Sequence, residues 1–251
     1  MIDLSGQVAV VTGGNGGIGL GFAEGVAAAG AAVAIWARNP DKSADACDRL
    51  RALGADAIAV TCDVADEASV AAAVTDTVDR LGRIDICVAN AGTSGGGAFT
   101  DLTLEEWRRV MSINLDGVFL TMRDCARQMI EQGDGGAMVA ISSTSAIHGA
   151  PMTAHYGASK TAVLGLVRAT AVGLARYGIR VNSVLPGWTR TELAEGGYQN
   201  DKFRDVTTGR TPVRRWATGD DYRELAAYLC DRTQIWHTGD QIVAYGGYTI
   251  V

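Results

Sequence analysis

Short apolar runs alternate with helix-length segments along this chain, and this alternation constrains its fold more than any other feature. The first runs are Gln7–Thr12, Ala31–Trp36 and Ala57–Cys62, each followed by a stretch long enough for a helix. Strands separated by helices in this way form βαβ units and pair in parallel. The sequence therefore predicts an α/β protein with one doubly wound parallel sheet, flanked by helices on both faces.

The later part of the chain continues the same pattern. One long segment, 192–219, is polar and weakly periodic, which predicts either a lid or short helices over a site. In an open parallel sheet the ligand lies outside the carboxyl ends of the strands, where the strand order reverses. The further predicted strands are Asp85–Ala89, Ala137–Ile141, Ile179–Leu185 and the strand that begins at Gln241, and the predicted helices are Ile18–Ala29, Lys42–Leu53, Glu67–Leu81, Leu104–Gln132, Tyr156–Tyr177 and Asp220–Asp231.

Length, charge and composition exclude several functions. A chain of 251 residues can bury one large core, so residues 1–251 are expected to form a single domain. The net charge of −6 predicts no general attraction to nucleic acid or to anionic membranes. No long apolar run or leader segment is seen, which predicts a cytoplasmic protein. Five cysteines without a Cys-x-x-Cys pair and three histidines predict buried thiols, no disulfide framework and no catalytic metal.

A glycine-rich turn joins the first predicted strand to the first helix. Two registers fit it, Gly14-x-Gly16-x-x-Gly19 and Thr12-Gly13-x-x-x-Gly17-x-Gly19. Backbone N–H groups and the helix dipole at such a turn attract an anion, and the missing side chains let a pyrophosphate approach closely. Its place directly after the first strand favours dinucleotide binding over an ordinary hairpin turn.

The end of the second strand faces the position of an adenosine ribose. An acidic residue there would bind a ribose 2′-hydroxyl, but the sequence has no acid and places Arg38 at this point. The guanidinium of Arg38 has the donor geometry to pair with a 2′-phosphate, which favours NADP(H) over NAD(H). The alternative is a surface arginine before the turn at Pro40.

A candidate acid–base site lies between residues 142 and 160. Tyr156 and Lys160 are four residues apart, so they share one face of the predicted helix. An ammonium near a phenol is expected to lower the phenol pKa from about 10 toward neutrality, which makes Tyr156 a usable general acid and base. Ser143, at the end of the preceding strand, can donate a hydrogen bond to a substrate oxygen. A half-buried tyrosine beside a solvated lysine is the alternative.

Asn114 is the other polar residue of interest, because it interrupts the apolar face of the predicted helix Leu104–Gln132. A buried amide must be hydrogen-bonded, so Asn114 is either a core polar link or a bound-water site near the substrate. Substrate contacts are expected from the segments beside the site, although His148 and Trp188 can equally be packing residues. These candidates are Thr144, Ser145, His148, Met152, Trp188 and the segment 192–219.

Together these motifs resemble the short-chain dehydrogenase/reductase family over essentially the whole chain. The resemblance implies a Rossmann-type fold, NAD(P)-dependent oxidoreduction of CH–OH groups and a homotetramer. One departure is Gly16, where NADP-dependent members often carry a basic residue. The matching segments are Thr12–Gly19, Asp63-Val64, Asn90-Ala91-Gly92, Asn114 within Ser-Ile-Asn-Leu, Ser143, Tyr156-Gly-Ala-Ser-Lys160 and Pro186-Gly187-x-x-x-Thr191.

The resemblance also implies a role for each motif residue. Asp63 and Val64 would hold the adenine, Lys160 would also bind the nicotinamide ribose, and Asn114 would complete a proton relay through water. Thr189 and Thr191 would contact the carboxamide and phosphate side of the cofactor. The implied cofactor-binding set is Gly13, Asn15, Gly16, Gly17, Ile18, Gly19, Arg38, Asp63, Val64, Asn90, Ala91, Gly92, Tyr156, Lys160, Pro186, Gly187, Thr189 and Thr191.

The sequence thus predicts reversible hydride transfer between a nicotinamide cofactor and a ketone/secondary alcohol pair on a small-molecule substrate. NADPH-dependent carbonyl reduction is favoured by Arg38, and an NAD-dependent alcohol dehydrogenase working oxidatively is the alternative. A non-catalytic nucleotide-binding sensor is a third possibility, which the serine, tyrosine and lysine set disfavours, since binding alone needs no acid–base tyrosine.

Overall fold

The computed structural model describes residues 2–250, and their strands form one parallel sheet. Within this range the sheet has seven strands. The strands are β1 (Val8–Thr12), β2 (Ala32–Ala37), β3 (Ala57–Thr61), β4 (Ile86–Ala89), β5 (Gly136–Ile141), β6 (Ile179–Pro186) and β7 (Gln241–Ala244). Their order across the sheet is β3-β2-β1-β4-β5-β6-β7, and every neighbouring pair is parallel. The predicted fold class is confirmed.

Helices connect the strands and cover both faces of the sheet. Their bounds agree with the predicted helices to within a few residues, with one exception described below. The α-helices of the described residues are α1 (Gly17–Ala28), α2 (Pro40–Ala52), α3 (Glu67–Leu81), α4 (Leu104–Met111), α5 (Gly117–Gln132), α6 (Ala154–Leu174), α7 (Glu195–Gln199), α8 (Asp201–Arg210) and α9 (Arg223–Cys230).

The sheet lies between two apolar cores. Every residue of β1, β4, β5 and β6 is buried, which fits the largely apolar sequences of β1, β4 and β5, whereas β6 also buries Arg180, Asn182 and Ser183. One core joins the sheet to α1, α2 and α9 through residues such as Phe22, Leu50 and Leu229. The other joins it to α3, α5 and α6 through residues such as Val70 and Met129. All five cysteines are free and buried, as the sequence predicted.

Local signals in the sequence set the ends of several helices. The side chain of Asn39 accepts a hydrogen bond from the Lys42 N–H, and Pro40 is the first residue of α2. The Asp66 carboxylate caps α3 in the same way, and Gly82 ends that helix with a positive φ of 86°. These capped ends fix where each helix leaves the edge of the sheet.

The helix predicted over 104–132 has these bounds in the structure, but it is not α-helical throughout. It is divided into α4 and α5 by a π-helical turn, Ser112–Asp116, at whose centre Asn114 is fully buried. The wider turn breaks the i→i−4 pattern locally, and the Asn114 amide within it is hydrogen-bonded to Thr93 and Ser159. Apolar periodicity alone does not reveal such a turn, because the residues on either side keep helical spacing.

The segment 192–219 forms short helices, one of the two forms that its sequence allowed. A 3-10 turn, Glu192–Ala194, leads into α7 and then α8, and residues 211–218 return to the body of the protein. The backbone of Thr189 forms a β-bridge with Ala217, which anchors both ends of the segment near β6.

Residues 154–177, which comprise α6 and the turn that follows, are long and apolar enough to cross a membrane by length and hydropathy. In the folded protein this helix packs against β6, and Lys160 and Val167 are buried on that face. Its apolar composition therefore matches that of a helix with one face on the sheet.

Candidate active site

The polar residues predicted to end strands meet at one edge of the sheet. Thr12 ends β1, and Arg38, Asp63, Asn90 and Ser143 each follow the strand before them by one or two residues. Since all the strands run in parallel, these positions share the carboxyl edge. The strand order reverses between β1 and β4, so the crevice for a ligand opens beside these two strand ends.

Thr12 and Asn90 tie the two central strand ends together. The Thr12 hydroxyl accepts hydrogen bonds from the N–H groups of Asn90 at 2.9 Å and Ala91 at 3.0 Å. The Asn90 amide in turn donates to the carbonyl oxygen of Thr12 at 2.9 Å. This reciprocal set holds the glycine-rich loop against the loop after β4, so both walls of the crevice have fixed positions.

A cavity of about 630 Å³ occupies this crevice and extends from the glycine-rich loop to Tyr156. It brings together most of the predicted cofactor and catalytic residues. Its lining from that set consists of Gly13, Asn15, Gly16, Gly17, Ile18, Asn90, Ala91, Gly92, Ser143, Tyr156, Lys160, Pro186, Gly187, Thr189 and Thr191.

Gly13, Gly17 and Gly19 have different structural roles in the glycine-rich loop. Gly13 and Gly17 adopt positive φ values of 61° and 54°, where other residues are strained. At Gly19 a Cβ would overlap the carbonyl oxygen of Gly13 and the Asn90 amide, so only glycine fits. These three positions support the register that begins at Thr12. Because α1 begins at Gly17, the first N–H groups of that helix face the cavity without partners inside the helix.

Ser143, Tyr156 and Lys160 meet at the other end of the cavity. The Ser143 hydroxyl lies beside the Tyr156 hydroxyl and acts to lower the pKa of Tyr156. Lys160 Nζ lies 5.8 Å from the centre of the Tyr156 ring and donates a 2.8 Å hydrogen bond to the carbonyl oxygen of Ile141. The end of β5 and the first turns of α6 therefore bring a serine, a tyrosine and a lysine together, with Ser143 and Lys160 buried and Tyr156 partly buried.

The pKa of Tyr156 shifts in the direction opposite to the sequence-based expectation. Burial raises the pKa of Tyr156, and the hydrogen bond from Ser143 opposes that shift only in part. Burial also lowers the pKa of Lys160 to about 8. The ammonium is directed at Ile141 and lies over the tyrosine ring, so desolvation outweighs its effect on the phenol.

Asn114 is hydrogen-bonded on both sides and does not line the cavity. Its Oδ1 accepts from the Thr93 N–H at 2.8 Å, and its Nδ2 donates to the Thr93 carbonyl at 2.9 Å and to Ser159 Oγ at 3.1 Å. A Cβ built on Gly92 would lie 3.3 Å from Asn114 Oδ1 and 3.5 Å from Lys160 Nζ. The amide of Asn114 is thus a polar link in the core, and it also lies near Lys160. A role as a core link therefore does not conflict with a role as a bound-water site near the substrate.

Four predicted cofactor residues do not line the cavity. Gly19 is packed inside the loop, and Arg38 is exposed after β2. The carboxylate of Asp63 accepts from the Ala65 N–H within its own turn, and Val64 is buried against Gly117.

The substrate side of the cavity contains hydroxyl groups and one indole. Trp188 lines it, and its ring stacks on Trp216 at 5.0 Å and contacts Phe203 edge to face. His148 does not line the cavity, and its ring packs against Tyr248, which favours packing for that residue. Thr144 and Ser145 line it as predicted, whereas the exposed side chain of Met152 does not.

Several lining residues were not singled out from the sequence. Ser94 and Thr153 lie within a few positions of recognised motifs, so their closeness to those motifs was the available signal. Lys42 also lines the cavity from a distant part of the chain and carried no such signal, whereas Glu192 belongs to the segment 192–219 from which contacts were expected.

The residues present fit a nicotinamide dinucleotide. The glycine-rich loop lies close to the opposite wall of the cavity, because a Cβ on Gly17 would come within 2.8 Å of Thr191 Cγ2, so a side chain there would narrow the cavity. Helix N–H groups for a pyrophosphate lie at one end, and Tyr156 and Lys160 lie at the other. The fold and the site together define a dinucleotide-binding oxidoreductase architecture.

Comparison with known proteins identifies the family. A family model described as enoyl-(acyl carrier protein) reductase matches residues 13–249. The chain is 36% identical to an L-rhamnose 1-dehydrogenase (NAD(P)(+)) from Sphingomonas sp. (strain SKA58), over 97% of this chain and 96% of that protein.

Two solved structures have the same fold over essentially their whole length. A short-chain type dehydrogenase/reductase from Mycobacterium marinum superposes with a TM-score of 0.94 at 38% identity, covering 100% of this chain and 98% of that one. A gluconate 5-dehydrogenase from Burkholderia cenocepacia J2315, in complex with NADP and tartrate, has a TM-score of 0.94 at 36% identity, with the same coverage. The chain belongs to the short-chain dehydrogenase/reductase family.

Proposed function

We propose that this protein is an NAD(P)-dependent oxidoreductase that interconverts a secondary alcohol and a ketone on a small molecule. The observation that carries the proposal is that Ser143, Tyr156 and Lys160 lie at one end of the cavity whose other end is the glycine-rich loop. An acid–base group and a phosphate-binding loop in one cavity are what hydride transfer from a bound dinucleotide requires. Relatives that are named as dehydrogenases support the same activity.

Each residue of the acid–base group has a distinct role. When bound, the nicotinamide supplies or accepts the hydride. Ser143 and Tyr156 hold the substrate oxygen through hydrogen bonds, and Tyr156 donates its proton during reduction or accepts one during oxidation. Lys160 holds the tyrosine face and the end of β5 in place, and Asn114 fixes the loop beside it.

The cofactor in this proposal is NADP(H) in preference to NAD(H). The end of β2 has no acidic side chain, and the exposed Arg38 is free of ion pairs within the described residues. An NADP complex of a related gluconate 5-dehydrogenase supports this preference. The alternative is an NAD-linked dehydrogenase working oxidatively, which the name of the related L-rhamnose 1-dehydrogenase (NAD(P)(+)) supports.

The hydroxyl groups in the lining favour a substrate that carries polar groups. Four hydroxyl side chains, from Ser94, Thr144, Ser145 and Thr153, border the space next to Tyr156. Trp188 closes that space on one side, with its ring held by the aromatic cluster behind it. A hydroxylated carbon chain or ring would bond to these groups and pack on the indole.

A homotetramer is proposed for the assembly. The side of α6 that faces away from the sheet carries small and apolar residues, including Gly165, Gly173 and an 82% exposed Val172. Such a face suits close packing against a second copy of the helix. Sedimentation at micromolar concentration tests this, and a monodisperse monomer would contradict it.

The test of the function is binding and turnover with a defined panel. Dissociation constants for NAD(H) and NADP(H) are measured by calorimetry, and turnover is measured with polyols, sugars, lactones and cyclic ketones. Saturable binding of at least one dinucleotide together with turnover of one substrate pair supports the proposal. Tight cofactor binding with no turnover across the panel would favour a nucleotide sensor, and binding of neither dinucleotide would overturn the function.

A further inference from the structure

An ion pair crosses the mouth of the cavity. Lys42, in the first turn of α2, directs its Nζ to the carboxylate of Glu192 at 2.5 Å. The two residues are 150 positions apart in the chain, and both line the cavity. Glu192 begins the segment that leads to α7, so this pair joins the cofactor side of the molecule to the segment above the substrate side.

The Lys42 ammonium lies directly over the glycine-rich loop. A Cβ built on Gly16 would be 2.9 Å from Lys42 Nζ. The neighbouring Asn15 amide donates to Ser43 Oγ at 3.1 Å, so the loop rests on the first turn of α2 at two points. The end of β2, this loop and the first turn of α2 surround the place where the ribose of a bound adenosine lies in this fold. Lys42 therefore brings a positive charge to that place.

Charge distribution along the cavity singles out Lys42. Among the cavity-lining residues of the described chain, the basic side chains are Lys42 and Lys160, and Lys160 is buried beside Tyr156 at the opposite end. Arg38 is exposed and does not line the cavity. A phosphate monoester carries close to two negative charges at neutral pH and binds best where a cation meets it directly.

Glu192 competes for the same ammonium. Its side chain is 84% exposed and that of Lys42 is 33% exposed, so their pair is screened by water and contributes little to stability. A phosphate at the ribose would attract Lys42 and repel the Glu192 carboxylate. An exposed ion pair of this kind can be exchanged at low cost, whereas a buried one cannot.

We propose that Lys42 exchanges partners, pairing with Glu192 when no 2′-phosphate is present and with the 2′-phosphate of a bound NADP(H). In this arrangement Glu192 weakens NADP(H) binding and leaves NAD(H) binding nearly unchanged, so the pair sets the preference between the two cofactors. The inference rests on the proposed function in that it requires a nicotinamide dinucleotide in this cavity.

Binding constants test the proposal without reference to turnover. NADP(H) and NAD(H) are titrated by calorimetry into the unmodified protein and into Lys42→Met, Glu192→Gln and Arg38→Ala variants. Lys42→Met is expected to weaken NADP(H) binding by about 10-fold or more, the loss of a charge-assisted contact, and to change NAD(H) binding by less than about 3-fold. Glu192→Gln is expected to strengthen NADP(H) binding by about 2- to 5-fold.

Glu195→Gln is the matched control. Glu195 lies three positions after Glu192, pairs with Arg190 and does not line the cavity, so both dissociation constants should stay unchanged. Thermal melting of each variant verifies that it is folded.

Two results would overturn the proposal. One is a Lys42→Met protein in which the ratio of NADP(H) affinity to NAD(H) affinity is unchanged. This result would be clearest if the Arg38→Ala variant alone lost the preference for NADP(H). The other is a Glu192→Gln protein that binds NADP(H) more weakly. In both cases NAD(H) binding by the unmodified protein would leave the proposed function standing, whereas binding of neither dinucleotide would remove both.

Discussion

Lys160 Nζ donates a 2.8 Å hydrogen bond to the carbonyl oxygen of Ile141, the last residue of β5. This bond ties the first turns of α6 to a strand end at the centre of the sheet. The same ammonium is buried, which lowers its pKa from 10.5 to about 8. Lys160 is thus both an anchor between two elements and a cation that the fold holds at a cost, which makes its titration measurable in the stability of the protein.

Stability should depend on pH through Lys160. Between about pH 8 and pH 10.5 the unfolded chain binds a proton at this lysine that the folded protein does not, so the free energy of unfolding rises with pH across that window. Below about pH 8 Lys160 is protonated in both the folded and the unfolded protein, so the cost of burying its charge is fully present. Between about pH 8 and pH 10.5, the free energy of unfolding of the unmodified protein should rise by on the order of 3 kcal/mol relative to that of the Lys160→Met variant. Urea unfolding at several pH values measures this difference.

Lys202→Met is the control for this titration. Lys202 is exposed on α8, so its substitution should leave the pH dependence of unfolding unchanged. If Lys160→Met and Lys202→Met followed parallel curves, burial would not be lowering the proton affinity of Lys160.

Tyr156→Phe should abolish turnover and spare cofactor binding. The substitution removes the proton donor while keeping the ring, over which Lys160 lies at 5.8 Å from the ring centre. A general acid–base group accelerates a reaction by on the order of 10²- to 10⁴-fold, so the Tyr156→Phe variant should lose at least about 10²-fold in turnover. Steady-state rates give the loss, and calorimetric titration with NADP(H) should give an unchanged dissociation constant. Near-normal turnover in this variant would show that the acid–base assignment is wrong.

Asn114→Ala should destabilise the protein even in the absence of substrate. The buried amide satisfies both the N–H and the carbonyl of Thr93 and also bonds Ser159. Without it these groups lose their partner in a buried position, which costs about 1–3 kcal/mol. Denaturant unfolding measures the loss, with Gln199→Ala on an exposed helical turn as the control, for which little change is expected. Equal stabilities for both variants would contradict the role of Asn114 as a core link.

Alanine substitution should have opposite effects at two helical glycines. At Gly19 the added Cβ would overlap the backbone carbonyl of Gly13, so Gly19→Ala should displace the loop and weaken both stability and dinucleotide binding. At Gly209, on the exposed side of α8, nothing lies within 4 Å of the new atom. Gly209→Ala should therefore stabilise the helix by up to about 1 kcal/mol. Thermal melts of the two variants should shift in opposite directions; two losses of similar size would contradict these assignments.

Much of the site could be predicted from the sequence, because its residues lie at the ends of recognisable elements. Thr12, Asn90 and Ser143 follow apolar runs that could only be buried strands, and parallel pairing brings such ends to one edge. Tyr156 and Lys160 share a helix face through local spacing alone.

Other features required the folded structure. The π-helical turn at Asn114 leaves the apolar spacing around it intact, so periodicity predicted the helix over 104–132 but not the turn within it. The pKa of Tyr156 depends on how completely the phenol is removed from water, which a four-residue spacing does not determine.

The sequence by itself determined the order of strands and helices, the glycine-rich loop and the serine, tyrosine and lysine group, since each depends on local spacing and on which runs must be buried. Only the tertiary structure decided that Lys42 reaches Glu192 across the cavity and that Arg38 stays outside it. The physical reason is that partners 150 positions apart are chosen by how the connecting segments pack, and no local pattern records that choice.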